Sequence, residues 1–161
     1  QGRELKSVMG EDYLPEHESK FLILPAVPIS TPPQSAELKL GQIRWTKLPP
    51  LSQIAFEVLQ KNAGQTTEKH FFVEGIVKNP SSFGIEKIVV PVIVFDSSSQ
   101  NILAVNSTVL TDIKPFEGRY FRVAWPKLFT DIGSIQITPT FNPLDPGLLL
   151  DKTENPERRD R

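Results

Sequence analysis

The sequence predicts an all-β protein, an antiparallel sandwich of two packed sheets. Three observations carry that prediction. Short candidate strands recur along the chain with turn residues between them. Few segments show the 3.6-residue period of a helix. Proline accounts for 15 of 161 residues, about twice its average share, and it is costly inside helices but common at strand ends and turns.

Candidate strands fall near 19–24, 36–45, 53–60, 69–78, 86–95, 102–111, 119–125 and 134–141. The last alternates most cleanly: Ile135, Ile137, Pro139 and Phe141 interleave with Ser134, Gln136, Thr138 and Thr140. A period of two places one face on a core and the other in water. Pro139 lacks a ladder donor, which puts this strand at a sheet edge. In 119–125, Phe121, Val123 and Trp125 form the inner set, while Arg119 and Arg122 reach solvent. In 53–60 the inner set is Ile54, Phe56 and Val58.

Strand 86–95 is apolar on both faces. Ile88, Val90, Val92 and Val94 line one; Val89, Ile93 and Phe95 line the other. Either it is a central strand covered on both sides, or it exposes an apolar patch that meets a partner. Turn chemistry surrounds it. Asn79-Pro80-Ser81-Ser82-Phe83-Gly84, Asp96-Ser97-Ser98-Ser99-Gln100-Asn101 and Lys114-Pro115-Phe116-Glu117-Gly118 are all loop clusters.

The first 45 residues echo the last part of the chain. The run from Pro15 to Leu24 parallels Pro115 to Ala124, and Ala36 to Leu40 parallels Ser134 to Ile137. The offset of about 100 residues is the length of an immunoglobulin-like sandwich. Residues 1–46 are therefore expected to be the C-terminal strands of an upstream repeat, or else an N-terminal arm. Residues 51–144 form the sandwich, and 145–161 a charged tail. Gln1 opens the chain and Met9 is its only methionine, which suggests a trimmed chain whose signal or anchor has been removed.

Composition narrows the function. With 39% hydrophobic and 23% charged residues, the chain can bury a core. A net charge of −1 gives no basic excess for phosphates, so nucleic acid is not an expected partner. No apolar run is long enough to span a bilayer, and membrane association is expected only through an anchor outside this chain. The absence of cysteine excludes disulfides and thiolate metal sites.

No catalytic constellation emerges, and the chain is read as a non-enzyme without cofactor or metal. His17 and His70 lack metal-ligand spacing. Ser97-Ser98-Ser99 lacks a nucleophile elbow and reads as loop. Asp112, Asp131, Asp145 and Asp151 do not form a calcium-loop pattern. Asn106-Ser107-Thr108 is a possible glycosylation sequon. Trp45 and Trp125 each precede a Lys/Pro segment; they serve either as core packing at a strand end or as contact residues at the surface. The candidate interaction surface is Val89, Ile93, Phe95, Trp45 and Trp125.

Residues 69–125 resemble the FxLyD-type domain, an immunoglobulin-like module of cell-envelope proteins. Phe72-Val73-Glu74-Gly75-Ile76-Val77-Lys78-Asn79 is similar to its aromatic-x-x-G-x-V-x-N strand. Val92-Ile93-Val94-Phe95-Asp96 stands where the namesake motif falls, with Val92 in place of its Phe and no Asp-Gly hairpin after it. Ile102-Leu103-Ala104 and the run from Leu110 to Phe121 follow in order. Asn79-Pro80 also resembles the strand end of water-stress (WHy) domains.

The resemblance implies an immunoglobulin-like or fibronectin-III-like antiparallel sandwich. It also implies an extracytoplasmic, membrane-anchored parent with a structural or protein-interaction role. Its partner would be another protein, or a second copy through a sheet face or edge. The alternatives are a water-stress-type protective domain inside the cell and a carbohydrate-binding accessory module using Trp45, Tyr120 and Trp125.

Overall fold

Seven strands account for the secondary structure of the described residues. They are β1 (Glu57–Gln65), β2 (Phe71–Lys78), β3 (Gly84–Asp96), β4 (Ile102–Ile113), β5 (Gly118–Trp125), β6 (Ile132–Ile137) and β7 (Leu149–Leu150). The computed structural model describes residues 6–10, 12–14, 19–23, 28, 31, 33–47, 54–144 and the backbone of 149–150. Among them there is no helix.

The strands form two antiparallel sheets. Sheet 1 has the order β1-β2-β5, and sheet 2 has the order β4-β3-β6, with β7 also pairing β3. β1–β2 and β3–β4 are hairpins within a sheet. The chain crosses between sheets at β2–β3, β4–β5 and β5–β6.

Alternation explains the core. Along β2, burial alternates without a break from Phe71 to Lys78, and along β5 Phe121, Val123 and Trp125 point inward. Opposite them stand Ile88, Val90, Val92 and Val94 of β3, all fully buried. Removing apolar surface from water contributes about 25 cal/mol per Å², so these facing rows dominate stability. One end is filled by aromatics: Phe129 meets Phe71 and Trp125 edge-on at 5.3 and 5.9 Å.

Pro91 sits inside the central strand, where a missing N–H normally breaks a ladder. Here the gap falls on the β6 side. Thr138 N–H donates to the Pro91 carbonyl at 3.3 Å, and Pro91 returns no bond. Regular pairing with β6 ends at Ile137, and contact resumes only as the Val89–Thr140 bridge. The expected strand 134–141 is therefore shortened by a proline in its neighbour. β6 is an edge strand, as Pro139 predicts.

Other boundaries shift for equally local reasons. The expected strand 53–60 begins pairing only at Glu57 and runs on to Gln65. Ile54 and Phe56 still pack on the core without a ladder, Phe56 meeting Phe141 edge-on at 5.8 Å. A bulge between Leu59 and Asn62, with Gln60 at φ 50°, lies opposite Gly75. A Cβ on Gly75 would stand 3.1 Å from the Leu59 carbonyl oxygen.

Two expected strands do not form. Residues 19–23 and 36–45 have no strand pairing, and Leu38, Leu40, Ile43 and Trp45 stand in solvent. Period-two patterning makes a strand only where a partner edge supplies the ladder. Neither segment has such a partner among the described residues. Leu24 lies outside the described residues.

Candidate functional site

The expected contact residues on β3 lie on the outer face of sheet 2, where register fixes their neighbours. Val89 pairs with Val109, Ile93 with Val105 and Phe95 with Ile102. Directly opposed residues share a face. Three strand positions on β4 therefore extend the apolar face: Ile102, Val105 and Val109 are 49%, 44% and 48% exposed. Val89 and Phe95 are half-buried beside them.

Ile93 is different. It is only 3% exposed, although it is absent from the core cluster. The N-terminal arm covers it: Tyr13, Lys20 and Phe21 line one groove with Pro91, Ile93 and Gln136. The Lys20 ammonium pairs with Asp12 and sits 4.6 Å from the Tyr13 ring centroid, holding this part of the arm together. The outer face is thus divided, its β6 side under the arm and its β4 side open.

Trp125 is not on that surface. It is 8% exposed, packed on Phe71 and Phe129, and its indole N–H donates to the Val105 carbonyl at 3.2 Å. The bond crosses from sheet 1 to sheet 2 and satisfies the one polar atom of a buried ring. Trp45 is 91% exposed on the irregular segment before β1. Tyr120 projects from the outer face of sheet 1. With Trp125 in the core, the three expected aromatics do not form one sugar-binding platform.

Asn106 occupies mid-β4 and faces the seam with β5. Its side-chain amide donates to the Ala124 carbonyl at 3.1 Å. That nitrogen is the one a glycan would use, so modification would require opening the seam. His70 precedes β2, with Glu68 at 4.0 Å; His17 lies outside the described residues. Ser98 donates to the Asp96 carboxylate at 2.7 Å, a loop-closing role. Among the described residues no three His, Asp or Glu side chains gather as metal ligands.

Two polar clusters escaped sequence reasoning. On the outer face of sheet 1, Glu74 accepts from Tyr120 at 2.6 Å and Asn62 at 3.1 Å, with Arg122 at 3.8 Å. Arg122 also stacks on Phe72 at 3.9 Å, and the Phe72 ring covers Gly64. The hydrogen bond from Tyr120, then that from Asn62, lowers the Glu74 pKa; the same bond raises that of Tyr120. Both carboxylate oxygens are engaged, so the cluster ties three strands together. Its members are legible only once register sets Glu74 opposite Arg122 and Asn62.

The second cluster centres on Asn79, which is fully buried. Its amide donates to the Phe83 and Lys114 carbonyls at 2.6 and 3.1 Å. Its oxygen accepts from the Ser81 N–H and hydroxyl at 3.0 and 2.7 Å. The signal was present in Asn79-Pro80-Ser81, but it reads as an ordinary turn until Lys114 is brought beside it.

Compared with known proteins, the chain matches no family model, no curated protein and no solved structure.

Proposed function

We propose that this chain is a non-enzymatic structural or protein-interaction module of the extracytoplasmic cell envelope, built as an immunoglobulin-like or fibronectin-III-like sandwich. The observation that carries the reading is the open half of the outer face of sheet 2. There Val89, Phe95, Ile102, Val105 and Val109 gather on one face of the β3–β4 hairpin, with Ser107 between the two β4 valines. Exposed contiguous apolar area on a soluble fold marks a contact surface more often than scattered single residues do.

The strand order supports the fold type. β1-β2-β5 against β4-β3-β6 follows the A-B-E and C′-C-F arrangement of a fibronectin-III-like sandwich. The envelope assignment rests on the FxLyD-type resemblance of residues 69–125.

The test is crosslinking capture from envelope fractions with the parent chain and with Val105→Lys/Val109→Lys. A partner held by the parent and lost by the variant, at unchanged melting temperature, supports the reading. Equal capture by both removes this face from the function.

A further inference from the structure

A sandwich of two open sheets has four outer edges, and three of them are blunted here. β1 carries the Gln60 bulge and the charged Glu57 and Lys61, devices that discourage strand addition. The outer edges of β4 and β5 face each other and are laced together. Arg119 donates to the Thr111 and Asp112 carbonyls at 3.1 and 3.2 Å, while Asn106 and Trp125 bond across the other end.

The fourth edge, β6, has only a register shift at Gly133 and, among the described residues, no bond to sheet 1. Ile132-Gly133-Ser134-Ile135-Gln136-Ile137 contains no charge, and its pairing with β3 is regular from Ser134 to Ile137. Thr138 and Thr140 direct their backbone groups to β3. Alternation then turns the N–H and C=O of Ile135 and Ile137 outward, away from the sheet. Their side chains rest on the core yet stay half-exposed, as at a sheet that stops one strand early.

The same chain holds a strand without a sheet. Residues 36–45, Ala-Glu-Leu-Lys-Leu-Gly-Gln-Ile-Arg-Trp, are exposed throughout. Leu38 and Leu40 alternate with Glu37 and Lys39; Ile43 and Trp45 continue the pattern one residue out of phase. Gly41 stands between the two halves with nothing within 4 Å of its Cβ position, the place where a bulge would realign them. Four large apolar side chains in eight residues have no cover in a single copy.

We propose that residues 36–45 of one copy add as a strand to the free edge of β6 in a second copy. Main-chain bonds to Ile135 and Ile137 supply the pairing, and Leu38 and Leu40 extend the apolar layer beside those isoleucines. Each copy carries one donor and one acceptor, so reciprocal exchange closes a two-fold dimer. The inference concerns a sheet edge and does not rest on the outer-face reading; Val105→Lys/Val109→Lys leaves it intact.

Sedimentation velocity of the full chain, from low to high micromolar, should show a monomer–dimer equilibrium. Leu38→Lys/Leu40→Lys removes the donor, and Ile135→Pro removes an outward N–H at an edge position that tolerates proline. Each variant alone should be monomeric with a cooperative melt. Mixed, they should form a heterodimer, because each retains the half the other lacks. Amide exchange at Ile135 and Ile137 should slow as the parent chain dimerises. A parent chain monomeric throughout, a dimer that survives both variants, or protection of those two amides in the monomer would overturn the proposal. So would a mixture that stays monomeric.

Discussion

The side-chain amide of Asn79 donates to the carbonyl of Lys114, 35 residues away, at 3.1 Å. With Asn79 N–H donating to the Glu117 carbonyl at 2.9 Å, it binds the β2–β3 crossover to the β4–β5 crossover. Both crossovers carry the chain from one sheet to the other. Asn79 therefore joins the sheets at one end, as Trp125 does at the other.

Asn79→Ala deletes four buried hydrogen bonds and takes the acceptor from the Ser81 N–H, and it should cost about 3 kcal/mol. Asn79→Asp should cost more, because it places an acceptor against the Phe83 and Lys114 carbonyls. Urea unfolding of the three proteins checks both the magnitude and the order.

Trp125→Phe keeps most of the apolar contact and deletes the bond to Val105, a loss of about 1 kcal/mol. Trp125→Ala also empties the aromatic cluster with Phe71 and Phe129, a loss of about 4 kcal/mol. At low protein concentration Trp45→Phe should shift the emission maximum to the blue, since it removes the exposed indole and leaves the buried one.

Asp96 should shape the acid limb of stability. Its carboxylate accepts from the Asn101 side chain, from Ser98 and from the Gln100 and Asn101 N–H groups, which together lower its pKa from 3.8 to about 2. A pKa depressed by folding adds stability that is fully present above the ordinary value and is lost as pH falls through the folded one. The contribution should therefore disappear between about pH 4 and about pH 2. Glu74 and Glu117, also lowered, act in the same direction. Asp96→Asn should flatten the melting-temperature profile in that window.

Gly133→Ala should destabilise by about 3 kcal/mol, since a Cβ would stand 2.2 Å from the Asp96 carbonyl oxygen and 2.6 Å from the Ser97 Cα. Both are backbone atoms at the start of a hairpin and cannot turn aside. Gly41→Ala meets open space and should stay within about 0.5 kcal/mol. Thermal melts of the pair separate steric crowding from the general effect of replacing glycine.

Much of the sandwich is legible in residue order. The inner rows Ile54/Phe56/Val58, Phe121/Val123/Trp125 and Ile88/Val90/Val92/Val94 follow from alternation, and all of them pack on the core. Local chemistry also marked the Asp96–Asn101 hairpin. The interaction surface was legible only on β3: its extension onto Ile102, Val105 and Val109 depends on register. Ile93 reads as a contact residue, and Trp125 as either core or contact, because polarity pattern cannot distinguish a covered apolar face from an open one.

What the sequence by itself determined was the all-β class, the approximate positions of the six long strands and the inner faces of β1, β5 and β6. Side-chain alternation and turn residues are local properties of the chain. Tertiary structure alone decided which strands share a sheet, that the arm covers Ile93, that Asn79 reaches Lys114 and that residues 36–45 stay unpaired. Each of these depends on a partner distant in sequence. The physical reason is that a strand supplies only one partner of each ladder hydrogen bond and one side of each packed face. The other partner and the other side belong to whatever edge and layer the fold brings alongside.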